Sequence, residues 1–156
     1  MQGGGHAVCL GPDIDTDLII AGRYLRTKDH GIWVSHVFED LDPSLAARMN
    51  GAVIVAGKNF GCGSSREQAA LALKEAGVTA VIAPSFARIF FRNAINVGLP
   101  AIECSLPCVE GQNVKFDLAA GCVETGGNTY SIRPLSPRMR DILAAGGLIR
   151  YWRGRP

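Results

Sequence analysis

No apolar run in this chain approaches the length of a membrane-spanning helix, and the opening Met1-Gln2-Gly3-Gly4-Gly5 lacks the charged-then-apolar layout of an export signal. The expectation is a cytoplasmic protein with no membrane contact. No basic block is present either. The formal net charge is +2 and the basic residues are scattered, apart from Arg150, Arg153 and Arg155, which read as a solvated tail. A nucleic-acid surface is therefore not expected. The five cysteines are odd in number and include no Cys-x-x-Cys pair. That argues against a disulfide framework and against a zinc or iron–sulfur site held by this chain alone. His6, His30 and His36 are too dispersed to suggest a metal site. A phosphate loop ending in Gly-Lys-Ser or Gly-Lys-Thr is missing, and Gly61-x-Gly63 lacks the third glycine of a dinucleotide fingerprint, so nucleotide binding is disfavoured. Asp13, Asp15 and Asp17 do not meet the glycine and glutamate spacing of an EF-hand; Asx turns and helix caps suit them better. There is no internal repeat or low-complexity tract.

A chain of 156 residues, 47% hydrophobic and 19% charged, can bury a real core, and residues 1–156 are expected to form a single domain. Ala7 to Leu10 reads as a strand leading into the aspartate-rich loop. Trp33, Val37, Phe38 and Leu41 recur at helical spacing, with Pro43 to end the helix. Ala52 to Ala56 reads as a buried strand. Ala69, Leu73 and Ala76 line one face of a helix that Gly77 closes. Thr79 to Ala83 follows as a strand, then a helix capped by Ser85 with Phe86, Phe90, Ala94 and Val97 on its core face, ended by Gly98, and then a strand from Pro100 to Cys104. Strand–helix–strand–helix–strand implies right-handed crossovers and parallel neighbours, so the fold class is α/β. Short strands at Val114 to Leu118, Cys122 to Thr125 and Thr129 to Ile132, separated by glycine turns, predict a β-meander beside that unit. Ser136-Pro137 opens a C-terminal helix.

The densest chemistry lies in Gly61-Cys62-Gly63-Ser64-Ser65-Arg66-Glu67-Gln68. The glycines let the backbone turn sharply, and Ser64 with Glu67 has the spacing of a capping box. Free N–H groups, the helix dipole and the Arg66 fork would together favour a phosphate or carboxylate. Taken alone, the turn fits an ordinary helix start equally well. Cys62 has no histidine near it in sequence and reads as a small packed residue rather than a nucleophile.

Three motifs occur in one order: Asp13-Ile14-Asp15-Thr16-Asp17, Gly61 to Glu67, and Ser85-Phe86-Ala87-Arg88-Ile89-Phe90-Phe91-Arg92-Asn93-Ala94. In them the chain resembles the small subunits of the 3-isopropylmalate dehydratase and homoaconitase branch of the aconitase family. The likeness runs from about Gly11 to Cys104, and the length suits a free-standing small subunit. It implies a swivelling β/β/α domain that docks on a large subunit carrying a 4Fe-4S cluster. The activity implied is a hydro-lyase that moves a hydroxyl on a di- or tricarboxylic acid by dehydration and rehydration. By the family pattern Ser64 matches the catalytic base, acting as an alkoxide, and Ser65 and Arg66 match positions that bind substrate carboxylate. Arg26, in Tyr24-Leu25-Arg26-Thr27, matches the element that meets the variable substrate arm. There an arginine suits a distal carboxylate, the homoaconitase version, whereas apolar residues suit the isopropyl group of the leucine-pathway substrate. Gln68 departs from the histidine often found after Ser-Ser-Arg-Glu. Arg88 and Arg92, four apart, could meet the large subunit, the substrate or solvent. A non-catalytic module that presents the Ser64–Arg66 turn to an organic acid is the alternative of a different class.

Overall fold

A computed structural model describes residues 1–154, which leaves Arg155 outside the described residues. Seven strands form one sheet: β1 (Gln2–Cys9), β2 (Ala52–Val55), β3 (Ala80–Ala83), β4 (Ala101–Glu103), β5 (Asn113–Asp117), β6 (Cys122–Thr125) and β7 (Asn128–Ser131), in the order β4-β3-β2-β1-β5-β6-β7. β1 is the hinge between the two halves. His6 to Cys9 pairs in parallel with β2, while Gln2 to His6 pairs antiparallel with β5. The expected meander therefore continues the α/β sheet through β1 instead of packing beside it.

β1 also begins five residues before the Ala7 expected from its apolar run. Gly3 and Gly5 do not look like strand residues, yet they are needed there. A β-carbon on Gly3 would lie 2.5 Å from the Phe116 ring, and one on Gly5 would overlap the Gly51 carbonyl.

Period-two alternation sends Val8, Ile54, Val81 and Ala101 to one face, against α1 (Thr16–Ile19), α2 (His30–His36), α3 (Glu67–Glu75) and Phe90 of α4 (Arg88–Val97). Ala7, Val53, Ile82 and Ile102 face the other side, with Val114, Phe116 and Val123 of the meander and Ile142 and Leu143 of α5 (Pro137–Ala144). Burial on both faces explains the near-continuous apolar runs of β2 and β3.

Helix termini hold to expectation at Gly77, at Gly98, which caps α4 with φ +83, and at Ser136, whose hydroxyl accepts from Met139 N. Other expectations change. α2 ends at His36; Val37 and Phe38 are fully buried from the turn beyond it, Phe38 with φ +59, and Leu41 is exposed. The apolar spacing there is satisfied by a turn whose Phe38 N donates to Ile19 O at 2.9 Å. Arg150 and Arg153, expected in a tail, lie exposed on a further helix, α6 (Leu148–Arg153).

The cysteines need a correction too. Cys9 and Cys108 are joined in a disulfide, with their Cα atoms 5.9 Å apart across a sequence separation of 99. An odd cysteine count does not bear on one pair that the fold brings together. The end of β1 lies against the loop before β5, where Gly111 N donates to Ala7 O and Ala7 N to Gln112 O, both at 2.8 Å.

Candidate active site

The loops of interest leave the carboxyl ends of the parallel strands β1, β2 and β3, where ligands gather in open α/β sheets. After β1, Asp15 caps α1 by accepting from Asp17 N at 2.7 Å, in keeping with the turn-and-cap reading of the aspartates. After β2, the chain from Gly57 to Arg66 lies alongside that loop. Gly61 N donates to Ile14 O at 2.7 Å, Thr16 N to Cys62 O at 2.8 Å, and Thr16 Oγ1 to Ser64 O at 3.2 Å. Asn59 Nδ2 reaches Asp13 Oδ1 at 3.0 Å.

Two glycines make this approach possible. Gly61 (φ +82) sits on the Phe90 ring, which a β-carbon would overlap, and Gly63 (φ +93) faces the Asp15 carboxylate, 2.5 Å from where a β-carbon would be. Below them Phe60 packs edge-on against Phe86 and Phe90, with centroids 6.1 and 5.1 Å apart. The Ser85-to-Ala94 segment is thus the floor of the glycine loop. Ser85 does not cap α4, whose N-cap is Ala87. Its hydroxyl instead accepts from Asn59 N at 2.9 Å, tying down a residue held at φ +61.

Ser64 and Ser65 are exposed at the crest of the loop, just ahead of α3. The capping box expected from Ser64 and Glu67 does not form: α3 begins at Glu67, its N-cap is Arg66, and no side chain caps it. Arg66 N donates to Ser64 O at 2.9 Å, so the serines belong to a turn before the helix, with both hydroxyls left uncommitted by capping. Arg66 is half-buried. Its Nη1 forms an ion pair with Asp17 and is enclosed without a well-formed hydrogen bond. The same guanidinium lies beside Gly22, where a β-carbon would be 3.5 Å from Nη1.

Gly22 opens the segment that carries Arg26, so the Arg66 side chain lies beside the start of the Arg26 loop. Arg26 itself is exposed, and among the described residues no hydrogen bond or ion pair engages its side chain. Burial, then the nearby Asp15 and Asp13 carboxylates, push the Cys62 thiol up, which disfavours a thiolate nucleophile. Arg88 and Arg92 are exposed on α4.

The profile of the Aconitase C-terminal domain matches residues 16–106, which start at the end of the aspartate loop and take in the glycine loop and its phenylalanine floor. The chain belongs to that family. It is 52% identical to the 3-isopropylmalate dehydratase small subunit of Moorella thermoacetica, over 97% of this chain and 93% of that one. It is also 50% identical to the methanogen homoaconitase small subunit of Methanothermobacter thermautotrophicus, over 95% and 89%. The crystal structure of 3-isopropylmalate dehydratase from Methanocaldococcus jannaschii matches with a TM-score of 0.93 at 46% identity, covering 98% of this chain and 94% of that chain.

For this aconitase-family chain, sequence reasoning singled out Ser64, Ser65, Arg66 and Arg26 as candidates but not the residues that the fold packs against the Ser64–Arg66 turn. Asp17 holds Arg66, Asp15 receives Gly63, and Thr16 bonds the Ser64 carbonyl. The only prior signal for these was the alternation Asp13-Ile14-Asp15-Thr16-Asp17, which looked like turn chemistry.

Proposed function

We propose that this chain is the small subunit of a heteromeric aconitase-family hydro-lyase that shifts a hydroxyl on a di- or tricarboxylic acid, with Ser64 as its base and Ser65 and Arg66 gripping a substrate carboxylate. The carrying observation is that Ser64 and Ser65 stand exposed on a turn fixed by backbone bonds to Ile14 and Thr16, next to an arginine already aimed by Asp17. A pre-set geometry of this kind is what general-base catalysis requires. Ser64, as an alkoxide, takes the proton from the carbon beside the gripped carboxylate as hydroxide leaves the neighbouring carbon. In rehydration the hydroxyl returns to the first carbon and Ser64 returns the proton to the second.

The half-site in this chain is incomplete. Burial, then the Asp15 and Asp13 carboxylates, disfavour an anion at Cys62, and the same surroundings do not favour an alkoxide two residues on at Ser64. In this reading a partner supplies the positive charge. The cysteines do not fit a 4Fe-4S cluster here: Cys9 and Cys108 are bonded to each other, and Cys62, Cys104 and Cys122 do not converge. In this reading the cluster belongs to the large subunit, where it supplies Lewis-acid chemistry at the substrate hydroxyl and carboxylate.

We read the substrate as homoaconitase-type, because Arg26 is exposed and unpaired among the described residues, at the loop that by family resemblance would meet the variable arm. The isopropylmalate reading is supported by the relative from Moorella. Co-expression with a cluster-bearing large subunit, anaerobic reconstitution and comparison of homoaconitate-type with isopropylmaleate-type acids tests both. Preference for the tricarboxylate supports Arg26 as a carboxylate reader; preference for isopropylmaleate assigns the chain to leucine synthesis. Tight organic-acid binding by the isolated chain, with no turnover in the complex, would instead favour a binding module.

A further inference from the structure

We propose that Arg23 and Tyr24, held by Glu39 and Asp40, form a positioning anchor that fixes the Arg26 loop and so sets which substrate arm the enzyme accepts. The proposal rests on the reading of Arg26 given above. The segment from Gly22 to Thr27 has little backbone support: Tyr24 N bonds Ala21 O, and Leu25 N bonds Gly22 O. Side chains do the fixing instead. Arg23 Nη1 and Nη2 grip Asp40 as a fork at 3.1 and 2.7 Å, and Nη2 reaches Glu39 at 3.3 Å. Tyr24 donates its hydroxyl to Glu39 and stacks on His36, with centroids 4.3 Å apart. Trp33 Nε1 donates to the Tyr24 carbonyl at 2.9 Å.

Every one of these partners lies on α2 or in the turn after it. α2 is in turn tied to α3 through His30 and Glu75 at 2.8 Å. The anchor therefore acts between two arginines. Gly22, on one side, lies beside the Arg66 guanidinium, close enough that a β-carbon there would meet it, and Arg26, two residues past Tyr24, is free to reach a ligand. A long, exposed side chain discriminates between arms only if its backbone is already fixed, because ordering a loose loop on binding would consume the contact it gains.

The test uses the complex with its large subunit and measures kcat and KM for a homoaconitate-type tricarboxylate and for isopropylmaleate. Tyr24→Phe removes the hydroxyl and keeps the ring stack, while Glu39→Gln keeps an acceptor and removes the charge. Either variant that assembles is expected to lose about tenfold in kcat/KM for the tricarboxylate, carried by KM, with isopropylmaleate changed less than about twofold. Equal losses on both substrates, or no loss on either, overturn the anchor as a selectivity device. Arg26→Val separates the levels. If it shifts the substrate ratio and the anchor variants do not, the anchor proposal alone fails; if it leaves the ratio unchanged, the reading of Arg26 fails and takes the anchor with it.

Discussion

At position 63 two constraints meet. The backbone is in the left-handed region at φ +93, and a β-carbon would press on the Asp15 carboxylate. Left-handed strain in a non-glycine residue costs on the order of 1–3 kcal/mol, and here relief could come only by moving the turn that presents Ser64. Gly63→Ala is expected to lower kcat in the reconstituted complex by more than about tenfold, through displacement of the hydroxyl by a fraction of its reach. Steady-state kinetics check this, and an unchanged kcat would show that the turn tolerates the shift. Ser64→Ala removes the oxygen and leaves the backbone in place. It is expected to cut kcat by about 10²-fold to 10⁴-fold while co-elution with the large subunit persists. Near-normal turnover would remove Ser64 from the mechanism.

Between elements, polar side chains close the gaps that helix and strand ends leave. Lys74 of α3 donates its Nζ to Val97 O at the end of α4 and, at 3.0 Å, to Gly146 O in the turn between α5 and α6. Burial, with Arg150 nearby, pushes its ammonium below the usual lysine range. Lys74→Met strips the donor from both carbonyls and is expected to cost about 1–3 kcal/mol. Urea denaturation at neutral pH measures this, and an unmoved midpoint refutes it.

Asp117, at the end of β5, accepts from Ala120 N and Ala119 N, both at 2.9 Å, and from Gln2 Nε2 at 2.8 Å. The Ala120 bond first, then Gln2, hold its carboxyl below the ordinary carboxylate range. A depressed folded-state value means stabilisation that is complete above the unfolded pKa of about 3.9 and lost as pH falls through the folded one. The stability gap between the wild type and Asp117→Asn should therefore be present at neutral pH and close in acid. A gap independent of pH would exclude the carboxylate charge as its source.

Elements were legible in the sequence where periodicity or a terminator fixed them. β2, β3, α3 with Gly77, and α4 with Gly98 carry their own signals. The Ser64 turn carries the spacing of a cap without being one, because Ser-x-x-Glu spacing alone does not reveal that Arg66, not Ser64, precedes the first helical residue. The Tyr24–Glu39 bond, 15 residues apart across a loop and a helix, has no period at all.

At the scale of the whole molecule, β1 decides how many folding units there are. It pairs with β2 over one half of its length and β5 over the other, so loss of β1 would split the sheet into separate β2–β4 and β5–β7 pieces, each with a newly exposed edge. The buried side chains of the meander also share one apolar cluster with Val53, Ile82 and α5. The Cys9–Cys108 disulfide adds a covalent link between the end of β1 and the loop before β5, reinforced by Cys9 N donating to Glu110 Oε2 at 2.8 Å. We therefore propose one cooperative domain. A loop closed across about 100 residues is worth roughly 4.7 kcal/mol in the chain-entropy account. Reduction, or the paired Cys9→Ser and Cys108→Ser substitutions, is expected to lower a single thermal midpoint without splitting it, with calorimetric and van't Hoff enthalpies equal before and after. Two resolved transitions in the reduced protein would mean that β5–β7 unfold independently, and that the disulfide, rather than the shared strand, had been coupling the halves.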